Sequence, residues 1–464
     1  MSLHVVVLAA GKGTRMKSAR PKVLHVAAGR SILDHVLGAV DRLGAATTTL
    51  VVGHGGDDVR AALAGRTALQ FVSQSPQLGT GHALLQAEPL LAGKTGALLL
   101  LHANVPLIEP ATLLRLVERH RSTRAAATLL TAPLDDPYGY GRVVRDAAGH
   151  VSRIVEEREG SSDERAIRET ASGIYGFDLR PLFGLLQALA ADAPQGEFFL
   201  TDLVPLYRQR GLKVETLSLE TAAELRGVAT RADLAELAAV LRARKNRELM
   251  LSGVTLEDPA ATYIDVDVTV GADTVIGPNV QLQGRTSVGE RCRIHAGARL
   301  TDAAIGDDVT VLDRTVIVES RVAAGAKVGP FAHVRPESDI AENARVGNFV
   351  ELKKTRLGRR SKANHLAYLG DAVIGEDVNV GAGTITCNYD GVKKHKTVIE
   401  DGVFIGSDTQ LIAPVTIGKG AYVGAGSSIT QDVPADALAV ARGRQMTKPG
   451  WAAHRRARAR SEKS

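Results

Sequence analysis

Hydrophobic residues in the second half of the chain recur with a six-residue period. The unit is an aliphatic residue, then Gly, then four variable residues; it begins near Val270-Gly271, and the spacings between these glycines are mostly 6, 12 or 18. The aliphatic residue is usually β-branched, which favours short strands, and Gly permits tight turns. The pattern predicts a parallel β-helix of hexapeptide repeats, whereas hairpins would need Asn-Gly or Asp-Gly loops without a fixed phase. The further repeats are Ile276-Gly277, Val288-Gly289, Ile305-Gly306, Val328-Gly329, Val346-Gly347, Ile374-Gly375, Val380-Gly381, Ile405-Gly406, Ile417-Gly418 and Val423-Gly424.

The first half alternates short apolar runs with helical patterns, which predicts an α/β domain with a parallel sheet and crossover helices. We expect strands at His4 to Ala10, Thr49 to Gly53 and Ala97 to His102, and a helix at Leu33 to Leu43.

Four segments follow from these patterns. Residues 1–227 form the α/β domain, and residues 228–253 form a linker helix, because Arg231 to Leu251 is rich in Ala, Leu, Arg and Glu and lacks Gly and Pro. Residues 254–445 form the β-helix domain, whose repeats run from about Val254 to Val433, and residues 446–464 form a basic tail.

Composition fits a two-domain protein without membrane insertion. The chain has 464 residues, which is too long for a single core. Of these residues, 44% are hydrophobic and 23% are charged. The apolar run around Ala97 to Leu101 is far too short to span a bilayer, and Met1 to Leu8 lacks a signal-peptide pattern. Cys292 and Cys387 cannot make a disulfide framework. We expect a cytoplasmic protein.

The net charge of +6 comes mostly from the tail, which has five basic residues against one acidic residue and so supplies about +4. We interpret it as a solvated or partner-docking segment, with contact to RNA or phosphate as the alternative; no nucleic-acid partner is expected. The residues are Arg455, Arg456, Arg458, Arg460 and Lys463 against Glu462.

A glycine-rich turn follows the first predicted strand. Leu8, Ala9, Ala10 and Gly11 begin a string that continues to Met16, and such a turn before a helix presents backbone N–H groups to phosphate. Lys22 supplies a mobile positive charge for the same phosphates. The string resembles the signature of sugar nucleotidyltransferases.

A second loop carries Gln74, Gly79 and Thr80. An amide side chain can both donate to and accept from a uracil edge, and glycines let a base lie close to the backbone. His82 in this loop is interpreted as a positioned structural histidine rather than a base.

His365 lies in a string, Lys362 to Asp371, that interrupts the repeats, and such interruptions often carry function. Because a histidine accepts a proton near pH 7, His365 is a candidate general base; the family resemblance given next implies that the reaction is acetyl transfer to a sugar amine.

The strings Gly139-Tyr140-Gly141-Arg142 and Ile154-Val155-Glu156, together with the motifs above, cover nearly the whole chain. They resemble the bifunctional N-acetylglucosamine-1-phosphate uridylyltransferase and glucosamine-1-phosphate acetyltransferase family. The resemblance implies a Rossmann-like nucleotidyltransferase domain followed by a left-handed parallel β-helix, and a homotrimer with acetyltransferase sites at subunit junctions. It also implies four small-molecule partners, namely UTP, N-acetylglucosamine 1-phosphate, glucosamine 1-phosphate and the co-substrate acetyl-CoA, in the synthesis of UDP-N-acetylglucosamine for cell-wall and lipopolysaccharide precursors.

The resemblance also assigns roles to individual residues. Gly141 and Glu156 would contact the sugar in the first domain. In the second domain, sugar and phosphate would be held by Arg335, Lys353, Tyr368, Asn379, Asn388, Tyr389 and Lys394. Acetyl-CoA would contact Ala382, Ser407, Ala425 and Arg442.

The chain departs from the family at three positions of the first domain. Asn104 and Ala229 stand where the family has an Asp and an Asn that hold Mg²⁺, and Ala171 stands where it has a sugar-binding Asn. Because Mg²⁺ needs hard, preferably anionic oxygen ligands, no intact metal site is expected, and uridylyl transfer is expected to be weak. The alternative is that a nearby acid or the triphosphate still holds the metal.

Two other function classes stay open. The first domain could bind a nucleotide sugar without turning it over. The β-helix could instead be a zinc hydratase, with His295, His333 and His365 as candidate ligands, although no two of its histidines show the close spacing that such a site needs.

Overall fold

The structure is a computed structural model that describes residues 2–191 and 196–462. It divides into two compact units, Met1–Arg242 and Ala243–Ser464. The division falls within the helix Arg231–Leu251, so the segment predicted as a linker contributes residues to both units.

The first unit is built on a nine-stranded sheet with the main order β11-β7-β10-β6-β1-β4-β5; β8 joins it through β10, and β9 through β8. The α/β prediction is confirmed, but the sheet is mixed, because β10 runs antiparallel to β6, β7 and β8. The strands of this unit, with β2 and β3 in a separate small pair, are β1 Leu3–Ala9, β2 Val26–Ala27, β3 Arg30–Ser31, β4 Thr47–Val52, β5 Leu69–Ser73, β6 Ala97–His102, β7 Ala127–Pro133, β8 Gly141–Arg145, β9 Val151–Val155, β10 Glu169–Asp178 and β11 Val214–Ser218.

Helices cover both faces of this sheet, as the alternation of buried side chains along β1 requires. Val5 and Val7 belong to one apolar core, whereas Val6 and Leu8 belong to the other. The helices are α1 Ile32–Val40, α2 Gly56–Ala62, α3 Gly79–Leu85, α4 Glu88–Leu91, α5 Pro110–Thr123, α6 Ser162–Arg165, α7 Leu179–Ala191, α8 Leu203–Gln209 and α9 Arg231–Leu251, with 3₁₀ turns at Thr14–Met16, Lys22–Leu24, Asp41–Leu43 and Leu200–Asp202.

The second unit is the predicted parallel β-helix. Equivalent residues of successive coils pair in parallel register, as in Val275 with Arg293 and Arg293 with Thr310. Most coils are 17 or 18 residues long, but Asn379 pairs with Phe404, so this coil is 25 residues long and contains an inserted loop. The strands are β12 Thr255–Leu256, β13 Tyr263–Ile264, β14 Thr269–Val270, β15 Val275–Ile276, β16 Gln281–Gln283, β17 Ser287–Val288, β18 Arg293–Ile294, β19 Arg299–Thr301, β20 Ala304–Ile305, β21 Thr310–Val311, β22 Val316–Val318, β23 Arg321–Val322, β24 Lys327–Val328, β25 His333–Val334, β26 Asp339–Ile340, β27 Arg345–Lys353, β28 Arg356–Leu357, β29 Lys362–Gly370, β30 Ala372–Ile374, β31 Asn379–Val380, β32 Ile385–Cys387, β33 Thr397–Ile399, β34 Phe404–Ile405, β35 Gln410–Ile412, β36 Val415–Ile417, β37 Tyr422–Val423, β38 Ser428–Ile429 and β39 Leu438–Ala439.

The aliphatic residue of each repeat points into the solenoid, but the repeat glycine has a different role from the predicted one. A side chain at Gly406 would lie 2.4 Å from the backbone nitrogen of Ala425 on the next coil, so Gly is needed for close stacking of the coils. The left-handed backbone position lies two residues later, as at Asp408 with a φ of 57°. The tight turn is therefore made mainly by Asp, Asn and other non-glycine residues.

The solenoid continues beyond Val433, where the sequence predicted its end, because β39 pairs with β37. Beyond it, an exposed helix α10, Trp451–Ser461, carries the arginines of the basic tail; Lys463 lies outside the described residues. Within residues 2–191 and 196–462, no helix combines the length and the apolarity that crossing a membrane requires.

Candidate active sites

A cavity of about 280 Å³ lies at the carboxyl ends of β1 and β6. It brings together eight of the ten residues predicted for the nucleotide and the sugar of the first domain, together with Asn104. Ligands of open α/β sheets bind at this edge. The predicted lining residues are Leu8, Ala9, Ala10, Gly11, Lys22, Gln74, Gly79 and Thr80, and the others include Val23, Gln77, Ala83, His102, Glu197 and Phe199.

The glycine-rich turn packs on Lys22. Gly13 has a φ of 63°, and a side chain there would lie 2.7 Å from Cβ of Lys22. Burial, and then the charge of Arg15, lowers the pKa of Lys22. The predicted helix after the turn is a three-residue 3₁₀ helix, Thr14–Met16, too short to supply a helix dipole, so phosphate would be bound by Lys22 and local N–H groups.

The second loop is held by hydrogen bonds within the fold. Nε2 of Gln74 donates to the carbonyl of Gly79 at 2.9 Å and lies 3.2 Å from Nδ1 of His82. The ring of His82 packs edge-on against Phe198, and the hydroxyl of Thr80 accepts from the Leu200 N–H. These contacts agree with a structural role for His82.

The predicted sugar-binding residues form a neighbouring cluster that does not line this cavity. Gly141 pairs with Ala171 across β8 and β10, and a side chain at Gly141 would lie 3.6 Å from Oε1 of Glu156. Burial raises the pKa of Glu156, although a hydrogen bond from Thr201 opposes the increase.

Asn104 and Ala229, the two family metal positions, lie close together. Nδ2 of Asn104 donates to the carbonyl of Val228 at 3.4 Å, so its amide nitrogen is oriented toward the residue preceding Ala229. The Ala229 side chain is a methyl group, and its N–H donates to Asp233 at 2.8 Å. No group of three His, Cys, Asp or Glu side chains arranged for a metal occurs in the part of the chain that the structure describes. These residues do not fit Mg²⁺.

His102 is a site residue that sequence reasoning missed. Its ring lines the cavity beside Lys22, and a side chain at Gly173 would lie 2.7 Å from its Cδ2 and Nε2. Burial, and then the charge of Lys22, lowers the pKa of His102 to about 4. The sequence feature that could have identified His102 is its position at the carboxyl end of β6, two residues before Asn104.

The second site is built on the two long strands β27 and β29. His365 is exposed on β29 and faces Asn348 of β27, whose Oδ1 lies 2.9 Å from His365 Nδ1. Asn348, which the sequence reading missed, therefore orients the imidazole. The sequence feature that could have identified Asn348 is its spacing: it lies 17 residues before His365, which is one coil earlier.

The predicted phosphate-binding cations are each associated with another charge. Nη1 of Arg335 contacts Oε1 of Glu351 at 2.8 Å, and Nζ of the nearly buried Lys353 contacts Oδ2 of Asp371 at 2.9 Å. Contact with Lys353, and then its charge, lowers the pKa of Lys394. The positive charges of Arg335, Lys353 and Lys394 therefore lie close to one another at the second site.

Asp371, which was also missed as a site residue, holds two predicted substrate contacts. It accepts hydrogen bonds from Lys353 and from the amide of Asn388. Burial alone would raise the pKa of Asp371, but these hydrogen bonds outweigh burial and lower it.

Gly370 makes room for the remaining sugar-binding candidates. A side chain there would lie 2.5 Å from the hydroxyl of Tyr368 and 2.8 Å from Nδ2 of Asn388. Asn379 lies on the next coil, in β31, whereas Tyr389 is 60% exposed in the inserted loop and donates to its own loop at Gly391. The backbone of Tyr389 forms a β-bridge with Lys394, so the inserted loop connects Tyr389 to the cation cluster while its side chain stays exposed.

The four acetyl-CoA candidates form a row along one corner of the solenoid. Hydrogen bonds between coils connect them: the Asp408 N–H donates to the carbonyl of Ala382 and the Gly426 N–H to that of Ser407, and the Arg442 side chain donates through Nη1 to the carbonyl of Ala425. The row begins beside the catalytic candidate, because Gly383 N–H donates to the carbonyl of Leu366 at 2.7 Å. An extended thiol cofactor lying along this corner would reach His365.

Comparisons with known proteins match parts of both units. A profile described as a MobA-like NTP transferase domain matches residues 5–173, and one described as bacterial transferase hexapeptide repeats matches residues 267–302 and 396–431. The bifunctional protein GlmU of Pelobacter propionicus is 49% identical over 450 residues, covering 97% of this chain and 98% of that protein. The chain belongs to the GlmU family.

Two further GlmU proteins match to a similar extent. That of Heliobacterium modesticaldum is 49% identical over 96% of this chain and 97% of its own length, and that of Koribacter versatilis is 48% identical over 99% and 98%. GlmU membership supports an enzyme with both transferase activities and favours this interpretation over a zinc hydratase.

Proposed function

We propose that this chain is a bifunctional GlmU enzyme that acetylates glucosamine 1-phosphate efficiently and performs uridylyl transfer to N-acetylglucosamine 1-phosphate slowly. The observation that carries the first part is the junction of three features at His365: its Asn348 contact, the cation cluster and the start of the acetyl-CoA row. The expected compartment is the cytoplasm.

His365 would act as general base. If Asn348 Oδ1 accepts the proton of Nδ1, then Nε2 is left unprotonated. The substrate amine attacks the thioester carbonyl of acetyl-CoA, so that an N–C bond forms and the C–S bond breaks. The amine proton passes to Nε2 of His365 and then to the departing coenzyme A thiolate.

The cation cluster would hold the sugar phosphate. Arg335 can pair with phosphate in a forked geometry, and Lys353 and Lys394 act as point charges. Because Asp371 and Glu351 hold two of these cations in place before substrate arrives, less side-chain ordering remains to be done on binding.

The first domain retains the groups that recognise a nucleotide but has lost the metal ligands. Lys22, the glycine-rich turn and Gln74 line the cavity, whereas Asn104 and Ala229 supply no anionic oxygen. Assaying both half-reactions on the purified protein tests the proposal: acetyl transfer should be fast, and UTP turnover slow even with excess Mg²⁺. Rapid UTP turnover would refute the second part.

Asp371→Ala should raise the KM for glucosamine 1-phosphate about tenfold, since a hydrogen-bonded charge is lost, while leaving the KM for acetyl-CoA and the kcat nearly unchanged. Without this carboxylate the Lys353 pKa falls. Lys353 then loses its proton at lower pH than in the unmodified enzyme, and substrate affinity should fall at correspondingly lower pH. Steady-state kinetics across pH measures both effects.

The matched control for Asp371 is Asp377→Ala, which removes an exposed ion pair with Arg360. It should change neither KM nor the pH profile. If Asp371→Ala also leaves the KM for glucosamine 1-phosphate unaltered at every pH, Asp371 does not position Lys353.

We also propose a homotrimer formed by the second unit. Phe331 and Phe349 stack on each other with ring centroids 5.6 Å apart and are 47% and 57% exposed. Leu366, beside His365, is 64% exposed. All three residues have a left-handed backbone, which bulky residues rarely adopt. Because adjoining exposed apolar side chains mark contact surfaces, this corner suits contact with a second copy.

The fragment 243–464 should therefore sediment as a trimer at micromolar concentration, as should the full chain, and Phe349→Lys should weaken association of both. Lys354→Ala, which removes an exposed ion pair with Glu337 and no apolar surface of the pair Phe331 and Phe349, serves as the control. A monomeric fragment alongside a trimeric full chain would show that the first unit drives assembly instead.

A further inference from the structure

Another cavity of the first unit lies at the opposite end of β6 from the nucleotide cavity. Its volume is about 210 Å³, many times the ~15 Å³ that one water molecule requires. Ala97, the first residue of β6, lines it, whereas His102, the last residue of that strand, lines the nucleotide cavity. The length of this extended strand separates the two by roughly 17 Å. Among the described residues, none lines both cavities.

Three arginines give this cavity a net positive charge. Arg121 and Arg124 lie at the end of α5, and Arg180 lies in the first turn of α7. Asp178 is the acidic residue among the described lining residues, so three positive charges against one negative charge leave a net charge of +2. The neighbouring His120 adds no charge at neutral pH, because burial lowers its pKa.

The side chain of Arg124 has no partner within residues 2–191 and 196–462, neither an ion pair nor a hydrogen bond. Its backbone has a φ of 50° at the end of α5. Glycine is the usual residue in this conformation, and arginine is uncommon there. The chain therefore keeps a long cationic side chain at a position that favours glycine. In the described structure, that side chain lines the cavity.

The charge of the cavity and the shape of its cations favour a phosphate monoester. Such a group carries close to two negative charges near neutral pH, which balances the net charge of the lining residues, whereas a carboxylate carries one. A guanidinium group binds phosphate oxygens through a planar fork of N–H donors. Arg180 already contacts Asp178 at 3.0 Å, which leaves the arginines at the end of α5 as the main contacts.

We propose that the cavity at the start of β6 is a binding site for a small phosphate monoester, separate from both active sites, and that Arg121 and Arg124 contact the phosphate. This ligand would be bound without taking part in either transfer reaction.

The test is calorimetric titration of the full-length protein with glycerol 2-phosphate. Because both active sites are also proposed to bind phosphate, the reference protein carries Lys22→Gln and Lys394→Gln, which weaken phosphate binding there. The reference protein should still bind glycerol 2-phosphate, and uncharged glycerol should not bind under the same conditions. Absence of glycerol 2-phosphate binding, or equal binding of glycerol, overturns the proposal.

Arg124→Gly in the reference protein should weaken binding of glycerol 2-phosphate about tenfold or more, because a charge-assisted hydrogen bond is lost. Its melting temperature should stay the same or rise, since glycine suits the left-handed backbone, so weaker binding would not reflect unfolding. Arg121→Gln should also weaken binding.

The matched control is Arg119→Gln, which changes an arginine of α5 that pairs with Glu215 and does not line the cavity. It should bind glycerol 2-phosphate as the reference protein does. If Arg124→Gly binds as tightly as the reference protein, or if Arg119→Gln weakens binding to the same extent as Arg124→Gly, the cavity is not the phosphate site and the proposal is wrong.

Discussion

His365→Ala is expected to lower the kcat for acetyl transfer by about a hundredfold or more, within the range for loss of a general base. The affinity for acetyl-CoA should stay almost intact, because the residues proposed to contact it lie on the following coils, from Ala382 to Arg442. The rate of coenzyme A release at saturating substrates measures the first effect, and equilibrium titration measures the second.

Two further variants place His365 in the reaction. Asn348→Ala should lower kcat less than His365→Ala does, because it frees the imidazole to rotate without removing it, and the double variant should be no slower than His365→Ala alone. His295→Ala, on an earlier coil, should act like the unmodified enzyme. If His365→Ala turns over at the unmodified rate, the assignment is wrong.

The β-helix could be predicted because its repeat is local. Each hexapeptide contributes one inward aliphatic residue. A β-branched side chain at that position indicates a strand, and its recurrence shows where each repeat begins. The role of the glycine could not be read in the same way, because the contact that excludes a side chain at Gly406 comes from Ala425, one coil later in sequence. Only the stacked structure shows that spacing between coils, rather than backbone twist, requires glycine there.

Most of the first-domain nucleotide site was predictable because its residues lie on two short strings that follow strands. The helix expected after the glycine-rich turn is only a three-residue 3₁₀ helix at Thr14–Met16, because the chain turns again before it reaches Lys22. His102 was not recognised because its significance depends on Gly173, a residue brought to it by pairing of β10 with β6.

The supporting residues of the second site depend on register between coils. Asn348 contacts His365, and Asp371 contacts Lys353, each from a position about one coil away in sequence. Neither Asn348 nor Asp371 lies in a local sequence motif that would identify its contact. The residues predicted to contact substrate were taken from the family resemblance, position by position. The residues that hold these side chains in place could be identified only once the pairing of the strands was known.

The second large effect is expected from restoring the metal positions of the first domain. Asn104→Asp combined with Ala229→Asn should raise magnesium-dependent uridylyl transfer on the order of a thousandfold, because metal stabilisation of a transferring phosphoryl group contributes several kcal/mol. The two positions already lie together, as the contact from Asn104 to Val228 shows. Either substitution alone should help less, since two ligands of one ion are coupled.

Adding Ala171→Asn should mainly lower the KM for N-acetylglucosamine 1-phosphate, because Ala171 pairs with Gly141 in the sugar cluster and is not one of the two family metal positions. Asn104→Ala is the matched control: it alters the same site without supplying a carboxylate and should leave the rate low. Pyrophosphate release from UTP at several Mg²⁺ concentrations measures each variant. If the unmodified protein already makes UDP-N-acetylglucosamine at a rate that the double substitution does not increase, then magnesium capture does not limit this domain, and another acid or the triphosphate itself holds the ion.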